Sequence, residues 1–101
     1  MSLSIDLINH GAEGVLILTG RLDTSTAMDA EKVFDDMTER FDDLILDMRD
    51  LEYISSAGLR ILKRAYMAMR RKNGSLKLKN VNKMVMEVFE VTGFAGLLQF
   101  I

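Results

Sequence analysis

The stretch LILDMRDLEYISSAGLRIL, Leu44 to Leu62, decides the fold. Leu44-Ile45-Leu46 is a short apolar run of the kind that forms a buried strand. A polar loop from Asp47 follows. Ser55 and Ser56 then stand before Leu59, Leu62, Ala65, Tyr66 and Met69, which recur at helical spacing. Strand, loop and capped helix in that order are half of a βαβ unit. A hydroxyl at a helix start can accept backbone N–H bonds as a cap. It can also carry a phosphate, because a helix N-terminus favours anions. Both readings of the two serines stay open on local grounds.

Working outward, the helix from Ser56 ends near Lys72, where Arg70, Arg71 and Lys72 complement its dipole and Asn73-Gly74 stops it. Leu76 and Leu78 alternate with Ser75, Lys77 and Lys79, giving another strand. Asn80 or Asn82 opens a third helix, with Val85, Val88 and Phe89 inward and Thr92-Gly93 as its stop. The apolar tail from Phe94 to Ile101 reads as a helical turn and a last short strand.

Toward the N-terminus, Gly20-Arg21-Leu22-Asp23 closes a strand over Val15–Thr19 whose weak alternation suggests cover on both faces. Leu3, Ile5 and Leu7 alternate with polar residues and form a hairpin with it across a turn at 9–14. Between Asp23 and Asp42, Ala27, Ala30, Val33, Phe34, Met37 and Phe41 mark the first helix. Thr24, Ser25 or Thr26 caps it, and Asp29 stands three after Thr26 as in a capping box. The order β-β-α-β-α-β-α plus a tail calls for an antiparallel hairpin followed by right-handed parallel crossovers. The expected class is α/β, a mixed sheet packed with helices in one domain over 1–101.

Composition excludes several functions. The chain has 101 residues, 49% hydrophobic and 28% charged, with a formal charge of −2. No basic or acidic tail supports nucleic-acid or anionic-membrane binding. It has no cysteine, so thiol chemistry and cysteine-ligated zinc are excluded. His10 is the single histidine and sits in a turn, which leaves no metal set. Met1 to Asp6 does not read as a signal peptide, and no apolar run approaches the length of a membrane span. A cytoplasmic protein without a cofactor is expected.

Catalysis has little to stand on. Asp47, with Asp50, Glu52 and Arg49 nearby or with Asp23, could form an acyl-phosphate or Mg²⁺ site at a strand end. The solvated-loop reading is simpler. No phosphate-cradling loop, dinucleotide fingerprint or nucleophile elbow occurs. Of eight methionines, Met37 and Met69 fall on core stripes, whereas Met28, Met67 and Met86 point toward solvent. Arg60, Lys63, Arg64, Arg70, Arg71 and Lys72 make the second helix basic, as a solvated face or a site for an acidic partner.

Gly20-Arg21-Leu22-Asp23, then Leu44–Asp47, then Ile54–Leu62 together resemble the STAS family, in particular the stand-alone anti-sigma-factor antagonists of bacteria. The resemblance implies a non-enzymatic switch. In that family a serine or threonine opening the second helix is phosphorylated by an anti-sigma factor that is itself a serine kinase. The unmodified antagonist binds the kinase and frees the sigma factor, and a phosphoserine phosphatase resets it. Aligned on Gly58-Leu59, the acceptor is Ser56, with Ser55 as the alternative. Asp23 matches the acidic residue near the acceptor, and Gly58 the glycine that permits close approach. The implied docking face comprises Asp23, Thr24, Ser55, Ser56, Gly58, Leu59, Arg60 and Lys63, on a monomer or weak dimer. The best-known antagonists carry aspartate where this chain has Ser55, often a hydroxyl at Ala57, and frequently glycine at Arg60. A STAS subunit of a membrane transport assembly, bound without phosphorylation, is the alternative.

Overall fold

The computed structural model describes residues 3–101. Met1 and Ser2, part of the expected domain, lie outside the described residues. Five strands and three helices follow in the order β1 (Leu3–His10), β2 (Glu13–Leu22), α1 (Ala27–Arg40), β3 (Asp43–Ile54), α2 (Ser56–Arg71), β4 (Ser75–Lys79), α3 (Lys83–Thr92) and β5 (Gln99–Phe100). A short 3₁₀ turn (Phe94–Gly96) precedes β5. The sheet order is β1-β2-β3-β4-β5. Only β1 and β2 pair antiparallel; the remaining pairs are parallel. This is the expected mixed α/β architecture.

Register explains the layers. Leu16 pairs with Leu46 and Leu46 with Leu78, so these side chains share one face. Leu18, Leu44 and Leu76 join them, and all are at most 1% exposed. The helices lay Ala30, Phe34, Leu62, Ala65, Met69, Val85 and Phe89 on this face to complete one core. Each fully buried Leu or Phe contributes about 1.5–3 kcal/mol. Phe100 of β5 packs against Phe89 with ring centroids 5.9 Å apart, which holds the last strand.

The opposite face carries no helix. Ile8, Val15, Ile17 and Ile45 lie there, outside the main core. Val15 is nevertheless buried and Ile17 half-buried. The expectation that β2 is covered on both faces is therefore corrected. Its continuous apolar run reflects one face in the main core and one face outside it.

β3 is the second correction. It does not stop at Leu46 but runs on through the expected polar loop to Ile54. Opposite β2 it holds two irregularities, between Ile17 and Thr19 and between Gly20 and Arg21. Each inserts one extra residue in β3, as a β-bulge does. The core positions Leu46, Met48, Leu51 and Ile54 accordingly step by two and then by three. The hairpin turn also shrinks, from the expected six residues to Gly11 and Ala12, with Gly11 at φ +74°.

The helix ends follow local chemistry. α3 is capped by Asn82, whose side chain accepts from Val85 N at 2.9 Å, and ends at Gly93 in the left-handed region. Lys72, just past α2, donates from Nζ to the carbonyls of Thr38 (2.9 Å) and Phe41 (3.0 Å) at the end of α1. Its charge answers carbonyls that have no partner within the helix.

Candidate functional site

The ends of β2 and β3 run side by side, with Leu22 opposite Ile54. Ser55 N donates to Leu22 O at 2.9 Å. These contacts bring the loop Asp23–Thr26 beside the start of α2.

The two serines divide their roles. Ser55 has extended backbone and is the N-cap of α2, its Oγ accepting from Gly58 N at 3.3 Å. Ser56 is the first helical residue, and it is exposed. Its hydroxyl makes no hydrogen bond among the described residues. α2 has no acidic side chain in its first turn, so the positive end of its dipole has no carboxylate partner there.

Gly58 is needed for approach. A Cβ placed there would lie 2.8 Å from Leu22 Cγ, 2.9 Å from Ile54 Cγ1 and 2.9 Å from Leu22 O. The helix start is therefore packed directly on the two strand ends. Gly58 and Leu59 are buried, so these two members of the expected docking face shape it from beneath. Asp23, Thr24, Ser55, Ser56, Arg60 and Lys63 remain at least partly open to solvent.

Asp23 organises the neighbouring loop. Its Oδ1 accepts from Ser25 Oγ (2.7 Å) and Ser25 N (2.9 Å), and Oδ2 from Arg21 Nε (3.4 Å). The Ser25 hydroxyl is the chief reason its carboxyl titrates below the usual range, with further help from the Ser25 and Thr26 N–H groups and Arg21. The Arg21 guanidinium also stacks 4.4 Å over the Tyr53 ring, a pairing not apparent from sequence because it depends on the bulged register.

Thr26 occupies the N-cap position of α1 without making a side-chain cap bond. Its Oγ1 accepts from Asp23 N and donates to Arg21 O, both at 3.0 Å. The expected capping box with Asp29 does not form, because the hydroxyl is committed to the loop behind it.

Asp47 does not belong to this site. It lies within β3, paired with Ile17, and its Oδ1 accepts from Arg49 N and Asn80 Nδ2. Six residues of strand lie between it and Ile54, a span of about 20 Å. Burial raises its carboxyl pKa, but the Asn80 and Arg49 N–H bonds and the charges of Lys79 and Arg49 outweigh that and lower it overall. The disfavoured pairing with Asp23 does not form, and the solvated-loop reading is corrected: Asp47 is a hydrogen-bonded strand residue. No acidic or histidine cluster able to hold a metal occurs among the described residues.

A groove between α1 and α2 opens beside the serines, lined by Thr24, Ala27, Met28 and Glu31 on one side and Ala57, Arg60, Ile61, Lys63, Arg64 and Met67 on the other. Met28 and Met67 are exposed as expected. Met86 is instead half-buried against the core, and Met84 takes its place outside. Helical positions one turn off the core stripe decide which methionine faces out.

A family model described as "Mlab, STAS domain" matches residues 5–99. The chain belongs to the STAS family. Over 98 residues, 97% of this STAS chain and 90% of its relative, it is 22% identical to the anti-sigma-B factor antagonist of Bacillus subtilis (strain 168). An anti-sigma factor antagonist structure from Mycobacterium paratuberculosis shares the STAS fold with a TM-score of 0.87, at 20% identity over 98% of this chain and 85% of that one. Bacillus SpoIIAA in its phosphorylated form shares it with a TM-score of 0.76, at 16% identity over 97% and 91%. None of the described helices is long and apolar enough to cross a membrane.

Proposed function

We propose that this STAS protein is an anti-sigma factor antagonist, a non-enzymatic regulator switched by phosphorylation of Ser56. The unmodified form binds an anti-sigma factor with serine-kinase activity and releases the sigma factor. The kinase then phosphorylates Ser56 and ends the complex, and a phosphoserine phosphatase restores it.

One observation carries the choice of residue. Ser55 is engaged as the cap, whereas Ser56 is exposed with an unused hydroxyl in a first helical turn that carries no acidic side chain of its own. Full-length similarity to a named anti-sigma-B factor antagonist supports the partner class. Phosphate adds about −1.5 to −2 charge at neutral pH. Free in solution, it is accommodated by the helix N-terminus and water. In a docked interface it loses that water beside the Asp23 carboxylate. Leaving a charge poorly paired there costs several kcal/mol, and about 1.4 kcal/mol is a tenfold loss of affinity. The fold need not change for binding to end.

Incubation with the cognate kinase and ATP is expected to add one phosphate, located on Ser56 by fragmentation mass spectrometry. Phosphate only on Ser55 or elsewhere overturns the residue assignment. A stable complex with a transport ATPase or permease, indifferent to Ser56→Asp, would instead favour the transport-assembly role. That role draws on the departures at Ser55, Ala57 and Arg60.

A further inference from the structure

We infer that the groove between α1 and α2 is a docking channel for an acidic amphipathic helix of the partner protein. The inference rests on the reading above for the partner's identity and extends it to the chemistry of the contact.

The groove measures about 750 Å³. Between its walls lie Ala27, Ala57 and Ile61, and at its edges stand Met28 and Met67, 70% and 40% exposed. Single exposed apolar residues are ordinary on a protein surface. Here two large flexible ones border a continuous apolar floor. Unbranched thioether side chains repack readily around an apolar guest.

The rim fixes the guest's charge. Arg64 is already held by Asp35, at 3.1 and 3.2 Å, and by Glu31 at 3.5 Å. Arg60 and Lys63 line the same groove, are exposed, and form no ion pair among the described residues. Carboxylates on the guest would complement these two cations.

The walls fix its conformation. Both are helices whose backbone groups are internally bonded, so they offer no strand edge for an extended peptide to extend. A helix satisfies its own backbone and buries one apolar face, anchored at i, i+3 or i+4, and i+7. From Ala57 to Met67 the wall is about 15 Å long, roughly three helical turns. The channel opens at Thr24 and Ala57, next to Ser56. A phosphate on Ser56 would therefore set negative charge at the mouth of a channel selective for an acidic guest.

The test uses two synthetic peptides of about four helical turns. Both carry leucine at i, i+3, i+4 and i+7; one has glutamate elsewhere and the other lysine. Each is titrated into the unphosphorylated full chain and followed by ¹H–¹⁵N NMR. The acidic peptide is expected to shift residues 24–31 and 57–67, and the basic peptide to leave them unmoved. Met67→Glu should weaken the acidic peptide about tenfold, and Arg60→Gln with Lys63→Gln by a similar factor. Met84→Glu on α3 should change nothing. Equal binding of the basic peptide, or shifts centred on Met84 and Val91, overturns the proposal. The glutamine pair keeps the test valid if Met67→Glu fails to give a folded spectrum. Because no phosphate is involved, failure here leaves the Ser56 assignment standing, and failure of the kinase assay leaves the channel standing.

Discussion

The starts of α1 and α2 look alike in sequence and behave differently in the structure. Each has consecutive hydroxyl residues at its start, close after a strand end. At α1 the hydroxyls of Ser25 and Thr26 turn back to Asp23 and Arg21, tightening a loop. At α2 one hydroxyl caps the helix and the next is left over. Position decides the outcome. An aspartate two residues ahead of Ser25 gathers the first set, while no acidic residue stands in the same relation to Ser56. The start of α2 meets its capping need with one hydroxyl to spare, and the proposed phosphorylation of Ser56 rests on that difference.

That contrast can be broken or sharpened by substitution. The largest effect on stability is expected at Gly58. Gly58→Ala adds overpacking of up to about 3 kcal/mol against a helix-propensity gain of about 1 kcal/mol. A net loss near 2 kcal/mol in urea unfolding would show that α2 is seated on the strand ends, and no loss would show that it can shift. Thr26→Val removes a nearly buried hydroxyl and strands the Asp23 N–H, for about 1–2 kcal/mol. Ser55→Ala should cost about 1 kcal/mol as a lost cap. Ser56→Ala should cost under about 0.5 kcal/mol while abolishing phosphate incorporation. Equal costs at Ser55 and Ser56 would erase the division of roles.

The smallest expected effect is in acid. Asp23 and Asp47 both titrate below the usual 3.8 in the folded chain. Their contribution to stability is fully present above that value. It is lost as pH falls from about 3.8 through their lowered folded values. Asp23→Asn should therefore lower stability slightly at neutral pH, leave it unchanged at the acid end, and so flatten the acid limb of a stability–pH curve.

Much of this was legible in the sequence. The element order, the α2 boundaries and the stop at Gly93 follow from periodicity and capping chemistry, which act within a few residues, whereas the cap of α3 was narrowed only to Asn80 or Asn82 and the structure selects Asn82. The length of β3 was not legible, because Arg49, Asp50 and Glu52 resemble a loop until a neighbouring strand accommodates the bulges. Its one local trace is the change of core spacing from two to three after Met48. The bare sheet face was likewise hidden, since a run such as Val15–Leu18 looks the same whether one or two layers cover it. At the site, the spacing of Ser55, Ser56 and Gly58 was readable. Ser55 as the capping neighbour of Ser56 was readable too, whereas the bond from Ser55 N to Leu22 O, which joins two distant strand ends, was not.

The order of strands across the sheet repeats their order along the chain. Each strand thus lies beside the one synthesised just before it, and no later segment has to be threaded between two earlier ones. Sheet assembly can keep pace with translation, from the hairpin outward, with short sequence separations favouring speed. The two-residue β5 comes last, and at the sheet's edge, so a nascent chain has its four longer strands in hand before the tail arrives.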